Sequence, residues 1–153
     1  MKLILWVVAR LTVPALLAMG LAGCAAAPMK EAVSTKEAPA AIGPYSQGIK
    51  VGNLLFLSGQ ISIDPKTNQM SSGSIEEQTK QALENLDAVL KAAGMSMENV
   101  VNTTVFLKDV NDFGKMNAVY ATFFKDKPPA RATVQIARLP RDALVEISAI
   151  ASK

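Results

Sequence analysis

Two charged residues stand in strand-like, mostly apolar runs near the end of this 153-residue chain. Arg131 lies in Pro129-Ala-Arg-Ala-Thr-Val-Gln135, and Glu146 lies in Leu144-Val-Glu-Ile-Ser-Ala-Ile-Ala151, with a Pro-containing turn between the runs. Under period-two alternation Arg131, Thr133 and Gln135 share one face of the first run. Glu146 and Ser148 share one face of the second, opposite Val145, Ile147 and Ala149. A cation and a carboxylate on neighbouring strands suggest a site. A planar guanidinium grips a carboxylate through two parallel charge-assisted hydrogen bonds that fix orientation. A glutamate facing the same cleft can position a water, take its proton and return one to a departing amine. The residues alone leave a second reading open, a structural ion pair between the two.

The residue types that are missing narrow the chemistry. The chain has no histidine and a single cysteine, Cys24, which excludes a His-assisted serine or cysteine nucleophile and removes the usual zinc and copper ligand sets. Neither a phosphate-binding P-loop nor a dinucleotide glycine fingerprint occurs. Carboxylate, guanidinium, hydroxyl and backbone remain, and no cofactor or metal is expected. These groups suffice to hydrolyse a small electrophile that is already activated, because an iminium carbon needs only a positioned water, a weak base and a substrate clamp.

Residues 1–23 have the layout of a secretory signal, with Lys2, an apolar run, Arg10, and a second apolar stretch from Leu11 to Gly23 without an acidic residue. Leu21-Ala22-Gly23-Cys24 looks like a bacterial lipobox, so Cys24 is the expected lipid attachment point. The expected location is extracytoplasmic, anchored to a bacterial membrane and facing the periplasm in a Gram-negative cell. A transmembrane anchor is the competing reading, although Arg10 interrupts the span of about 20 apolar residues that a bilayer requires. Loss of Lys2 and Arg10 with the signal lowers the formal net charge from +3 to +1. Nucleic acid is therefore not an expected partner, since its binding draws on a clustered basic face. With one cysteine no intramolecular disulfide can form, and packing alone must stabilise the domain.

The elements that would position Arg131 and Glu146 follow from composition and periodicity. Residues 24–41 are rich in Ala, Pro, Ser, Thr, Lys and Glu and read as a flexible tether, leaving 42–153 as one domain with one core. Gln47 to Val51 and Leu54 to Ser58 flank Gly52-Asn53 as a β-hairpin. Ser74-Ile-Glu-Glu77 matches a capping box and opens a helix with its apolar stripe at Ile75, Thr79, Ala82, Leu86, Val89 and Ala93, ended by Gly94. Val100 to Leu107 is a buried strand. A second helix bearing Phe113, Met116, Tyr120, Phe123 and Phe124 is expected to run to Pro128-Pro129. This order argues for an α+β fold, a mixed β-sheet with two helices on one face. The other face would carry Arg131, Thr133, Gln135 and Glu146 and would meet a partner subunit.

Pro129-Ala-Arg, Ala137-Arg-Leu-Pro140 and Glu146-Ile resemble the C-terminal signature of the Rid family (RidA/YjgF, reactive-intermediate imine deaminases). Ala38-Pro-Ala-Ala-Ile-Gly-Pro-Tyr45-Ser-Gln-Gly48 and Leu57-Ser-Gly-Gln60 extend the resemblance across roughly residues 37–151. It implies a fold similar to bacterial chorismate mutase, a homotrimer with sites in the clefts between subunits, and hydrolytic deamination of 2-imino and enamine acids of the 2-aminoacrylate type to 2-keto acid and ammonium. Arg131 and Glu146 are then the catalytic residues. Tyr45 closes over the ligand, Ser58 and Gly59 contact it, Asn117 borders the site from a helix, and Thr133 stands where many relatives carry a cysteine. Ser148 stands where many carry a second glutamate. Blander roles compete: Tyr45 as a staple for the N-terminal segment, Ser58 as a strand end, Asn117 as a solvated helix position. A lipid-anchored module that binds small carboxylates without turnover is the alternative function, and RNA cleavage is a more distant one.

Overall fold

A computed structural model describes residues 29–153, so the signal, the lipobox and Cys24 lie outside the described residues. Six strands form one mixed sheet: β1 (Lys30–Val33), β2 (Gly48–Val51), β3 (Leu54–Gln60), β4 (Val100–Leu107), β5 (Ala130–Gln135) and β6 (Val145–Ser152). Their spatial order is β1-β2-β3-β6-β4-β5, antiparallel throughout except for the parallel β4–β5 pair. Two helices, α1 (Ile75–Ala92) and α2 (Phe113–Phe123), pack on one face. The expected α+β architecture is observed.

Local chemistry accounts for each element that frames the site. Gly52, with φ +59°, closes the β2–β3 hairpin. At the start of α1 the Ser74 hydroxyl accepts from the Glu77 N–H at 3.4 Å, and the Glu77 carboxylate accepts from the Ser74 N–H at 2.8 Å. These are the reciprocal bonds of a capping box. Leu83, Leu86, Val89 and Leu90 of α1 are fully or almost fully buried against Leu55 and Leu57 of β3 and Val145, Ile147 and Ala149 of β6. Burial of such side chains contributes about 1.5–3 kcal/mol each.

Three expectations need correction. Residues 30–41 are not a tether. Lys30–Val33 pairs with β2, and Val33 and Ala38 are buried. Backbone hydrogen bonds to an edge strand hold this segment, so a scarcity of bulky apolar side chains did not free it. Second, α2 ends at Phe123, short of Pro128. Phe124 leaves helical geometry (φ −119°, ψ 72°) and buries its ring 4.5 Å from that of Tyr120, so core packing ends the helix before proline does. Third, β5 and β6 are not neighbours, because β4 lies between them. The β4–α2–β5 crossover places β5 parallel to β4 on its outer edge, and β6 returns antiparallel on the inner edge.

Candidate active site

β3 changes register against β6 between Leu57 and Gln60, leaving Ser58 and Gly59 in a bulge. A bulge bends its strand and re-aims neighbouring side chains. The Ser58 N–H donates to the Gln47 carbonyl at 3.0 Å, and its hydroxyl donates to the Ser46 carbonyl at 2.6 Å. The Ser58 proton is thus committed, and its oxygen can only accept from a ligand. Glu146 rises from β6 directly over Gly59. A Cβ on residue 59 would sit 2.7 Å from the Glu146 Cδ, so the carboxylate occupies the room that a side chain would fill.

A cavity of about 350 Å³ opens above this carboxylate. Its floor is Ser58, Gly59 and Glu146, its inner wall is Ile61, Ile63 and Pro140, and its outer wall is Pro39, Ala40, Ile42 and Tyr45. Tyr45 is 49% exposed, and its hydroxyl accepts from the Ile42 N–H at 3.3 Å, so the ring both folds the N-terminal segment and faces the cavity. Burial pushes the Glu146 carboxyl above its ordinary value, because a desolvated carboxylate is disfavoured relative to the neutral acid. Among the described residues Glu146 forms no ion pair.

Arg131 lies on the opposite face of the sheet. It pairs in register with Thr103, whose hydroxyl shares a 2.7 Å hydrogen bond with the Tyr120 hydroxyl of α2. The guanidinium stands 4.5 Å from the centroid of the Tyr120 ring and 5.6 Å from that of Phe113, within the range of cation–π attraction. Phe113, Asn117 and Tyr120 recur at helical spacing, so Asn117 falls on the stripe of α2 over which Arg131 lies. Thr133 pairs with the core residue Val105, and its Oγ1 is buried without a hydrogen-bond partner among the described residues.

The seven residues singled out in the domain therefore form two groups. Tyr45, Ser58, Gly59 and Glu146 border one cavity, whereas Arg131, Thr133 and Asn117 gather on the helix-bearing face at the β5 edge. The expectation that Arg131 and Glu146 share a face is overturned, and within one protomer the described residues form no ion pair between them. Period two fixed which residues of each run share a face, but the relative facing of two runs that are not adjacent in the sheet depends on β4. Sequence reasoning missed Gln47 and the aliphatic walls, Ile42, Ile61 and Ile63. Ile61-Ser-Ile63 immediately after Gly59-Gln60 was the available signal.

The Endoribonuclease L-PSP family model matches residues 35–153. A RutC family protein of Pyrococcus horikoshii is 57% identical over 125 residues, covering 82% of this chain and 99% of that protein. The mouse protein named 2-iminobutanoate/2-iminopropanoate deaminase is 51% identical over 123 residues, covering 80% and 91%. The crystal structure of E. coli TdcF with bound serine superposes with a TM-score of 0.78 at 42% identity, covering 80% of this chain and 98% of that one.

Proposed function

The chain belongs to the Rid family (YjgF, L-PSP), and from that premise we propose that it is a hydrolase of reactive 2-imino acids whose site is completed between subunits of a homotrimer. The observation that carries this reading is the division of the site residues. One face of a protomer offers a base over an apolar cavity, and the other offers a guanidinium in no ion pair, a Thr133 hydroxyl in no hydrogen bond among the described residues, and Asn117. A symmetric ring brings unlike faces of successive copies together, because a heterologous contact that closes repeats one interface around the axis. Each cleft then holds Glu146 from one copy and Arg131 from the next. The open sheet face has the apolar surface for such a contact, with Phe56 44% and Val134 43% exposed.

In this site Arg131 binds the substrate carboxylate and presents the imine carbon to Glu146. The Glu146 carboxylate takes a proton from water as its oxygen bonds to that carbon, giving a carbinolamine. With the imine protonated at the start, Glu146 passes that proton to the nitrogen, and as the carbon–nitrogen bond breaks the carbinolamine hydroxyl gives its proton through Glu146 to the departing ammonia, so that a 2-keto acid and ammonium leave. The raised pKa of Glu146 suits both halves of this shuttle, since an acid–base group works best near the operating pH. The named deaminase activity of the mouse relative supports the reading.

The test is hydrolysis of imines generated in situ by an amino-acid oxidase. The full chain speeds it, and Arg131→Ala or Glu146→Gln lowers kcat/KM by about 10²-fold or more. Equal rates with and without the protein sink the proposal. Binding of a 2-keto acid without turnover selects the alternative, a small-carboxylate binding module. We also propose that Leu21-Ala-Gly-Cys24 directs lipidation at Cys24, outside the region matched by the family model. Mass spectrometry tests this: an acylated N-terminal Cys24 supports it, and an intact Met1 overturns it.

A further inference from the structure

The segment ahead of the first hairpin has little apolar bulk, yet it makes the outer wall of the Glu146 cavity through Pro39, Ala40 and Ile42. Gln47 holds it there. This side chain is only 4% exposed. Its Oε1 accepts from the Thr35 N–H at 2.6 Å, and the two protons of its Nε2 are shared among the carbonyls of Thr35 at 3.0 Å, Ala38 at 3.1 Å and Pro39 at 2.7 Å. The main-chain carbonyl of the same residue accepts from Ser58, one position before the glycine on which Glu146 rests. A single residue thus ties the outer wall to the strand beneath the carboxylate. Its removal leaves buried carbonyls without donors, which is far more disruptive than loss of a solvated bond.

The chemistry of the two walls is one-sided. Ile42 and Pro39 face a cavity whose inner wall is Ile61, Ile63 and Pro140, and its ionisable lining groups are Glu146 and Tyr45. Among the described residues of the same protomer no lysine or arginine lines it. An alkyl side chain entering this space leaves water for apolar surroundings, which is favourable in proportion to the area buried. With Arg131 of the next copy bound to the substrate's own carboxylate, a side-chain carboxylate would be desolvated beside Glu146 with no second cation to pair with.

We propose that residues 35–42 form the wall that selects substrate by side chain, favouring branched or extended aliphatic 2-imino acids over short or acidic ones, and that Gln47 is the positioning residue for that wall. The proposal rests on the deaminase reading for the identity of the substrate, and its test separates the two by measuring binding as well as turnover. Ile42 contacts the side chain, whereas Gln47 acts through the backbone of residues 35–39.

Calorimetry on the full chain measures the affinities of pyruvate, 4-methyl-2-oxopentanoate and 2-oxoglutarate, the keto acids that correspond to three side-chain classes. The six-carbon branched acid is expected to bind about tenfold or more tightly than pyruvate, the scale of discrimination that apolar pockets reach, with 2-oxoglutarate weakest. Ile42→Ala and Gln47→Leu each bring the ratio of branched to short acid down to about one, and the kcat/KM ratio for leucine-derived and alanine-derived imines falls in parallel. If Gln47→Leu does not fold by circular dichroism, Ile42→Ala decides, since Ile42 is 61% exposed and carries little of the core. A ratio that survives in Ile42→Ala, or a flat ranking in the unaltered chain, overturns the wall even if imines are hydrolysed. The expected ranking in a chain that hydrolyses no imine upholds the wall and defeats the deaminase reading.

Discussion

Glu146 rests its carboxylate where the side chain of residue 59 would begin. Gly59 is therefore a packing requirement of the Glu146 carboxylate, set by the bulge that takes Ser58 and Gly59 out of register with β6. Gly59→Ala would push the carboxylate out of its position over the cavity floor. The expected result is a folded protein whose kcat falls by about 10²-fold, the usual contribution of a positioned acid–base group, with a stability cost of about 1–3 kcal/mol from overpacking. Kinetics and urea unfolding measured together check both.

The Glu146 carboxyl titrates above the ordinary carboxylate value because of its burial. A folded-state pKa raised above the unfolded one means that the native state holds the proton more tightly. Stability is then greatest at acidic pH and is lost as pH rises through the raised value. Glu146→Gln removes that loss, so it raises Tm slightly at pH 7, by an amount that solvent screening of the half-buried carboxyl keeps small, and the gap closes as pH falls below the ordinary glutamate value. Activity of the unaltered chain shows an acidic limb displaced upward from that value, and it depends on the carboxylate. Melting curves and a kcat/KM profile from pH 4 to pH 8, about the span in which such a group titrates, test both signs.

The proposed sharing of the site between copies of a trimer makes a distinctive prediction for mixtures. Arg131→Ala and Glu146→Gln are each nearly inactive, yet in randomly reassembled trimers about one cleft in four pairs an intact Arg131 with an intact Glu146. Mixing the two variants under exchange conditions recovers about a quarter of the unaltered activity if clefts are shared. A mixture no more active than its components would show that each copy works alone.

The Thr103–Tyr120 hydrogen bond links β4 to α2 directly beneath Arg131. Thr103 is fully buried, so Tyr120→Phe leaves its hydroxyl without a partner at a cost of about 1–2 kcal/mol. Valine at 103 in addition, which removes the orphaned group, restores part of the loss. The midpoint of urea unfolding reads both steps.

Much of the scaffold was written in local patterns. The capping box at Ser74, the stripe of α1, the glycine at 94 and the alternation of β4 act over a few residues, and such short-range chemistry survives into the fold. The end of α2 was not legible, because Phe124 turns inward onto a ring partner rather than obeying the prolines that follow. Nor was the ordering of residues 30–41, which depends on a strand edge and on Gln47, remote from their own composition.

For the site, the sequence by itself determined which groups are available: one carboxylate and one guanidinium on mostly apolar strands, with no histidine and a single cysteine. It also determined that each is set against the apolar alternation of its own strand. Only the tertiary structure decided that they point to opposite faces of the sheet. The physical reason is that a strand's period constrains its own residues alone, whereas the facing of two strands depends on what lies between them, here β4 and the crossover through α2.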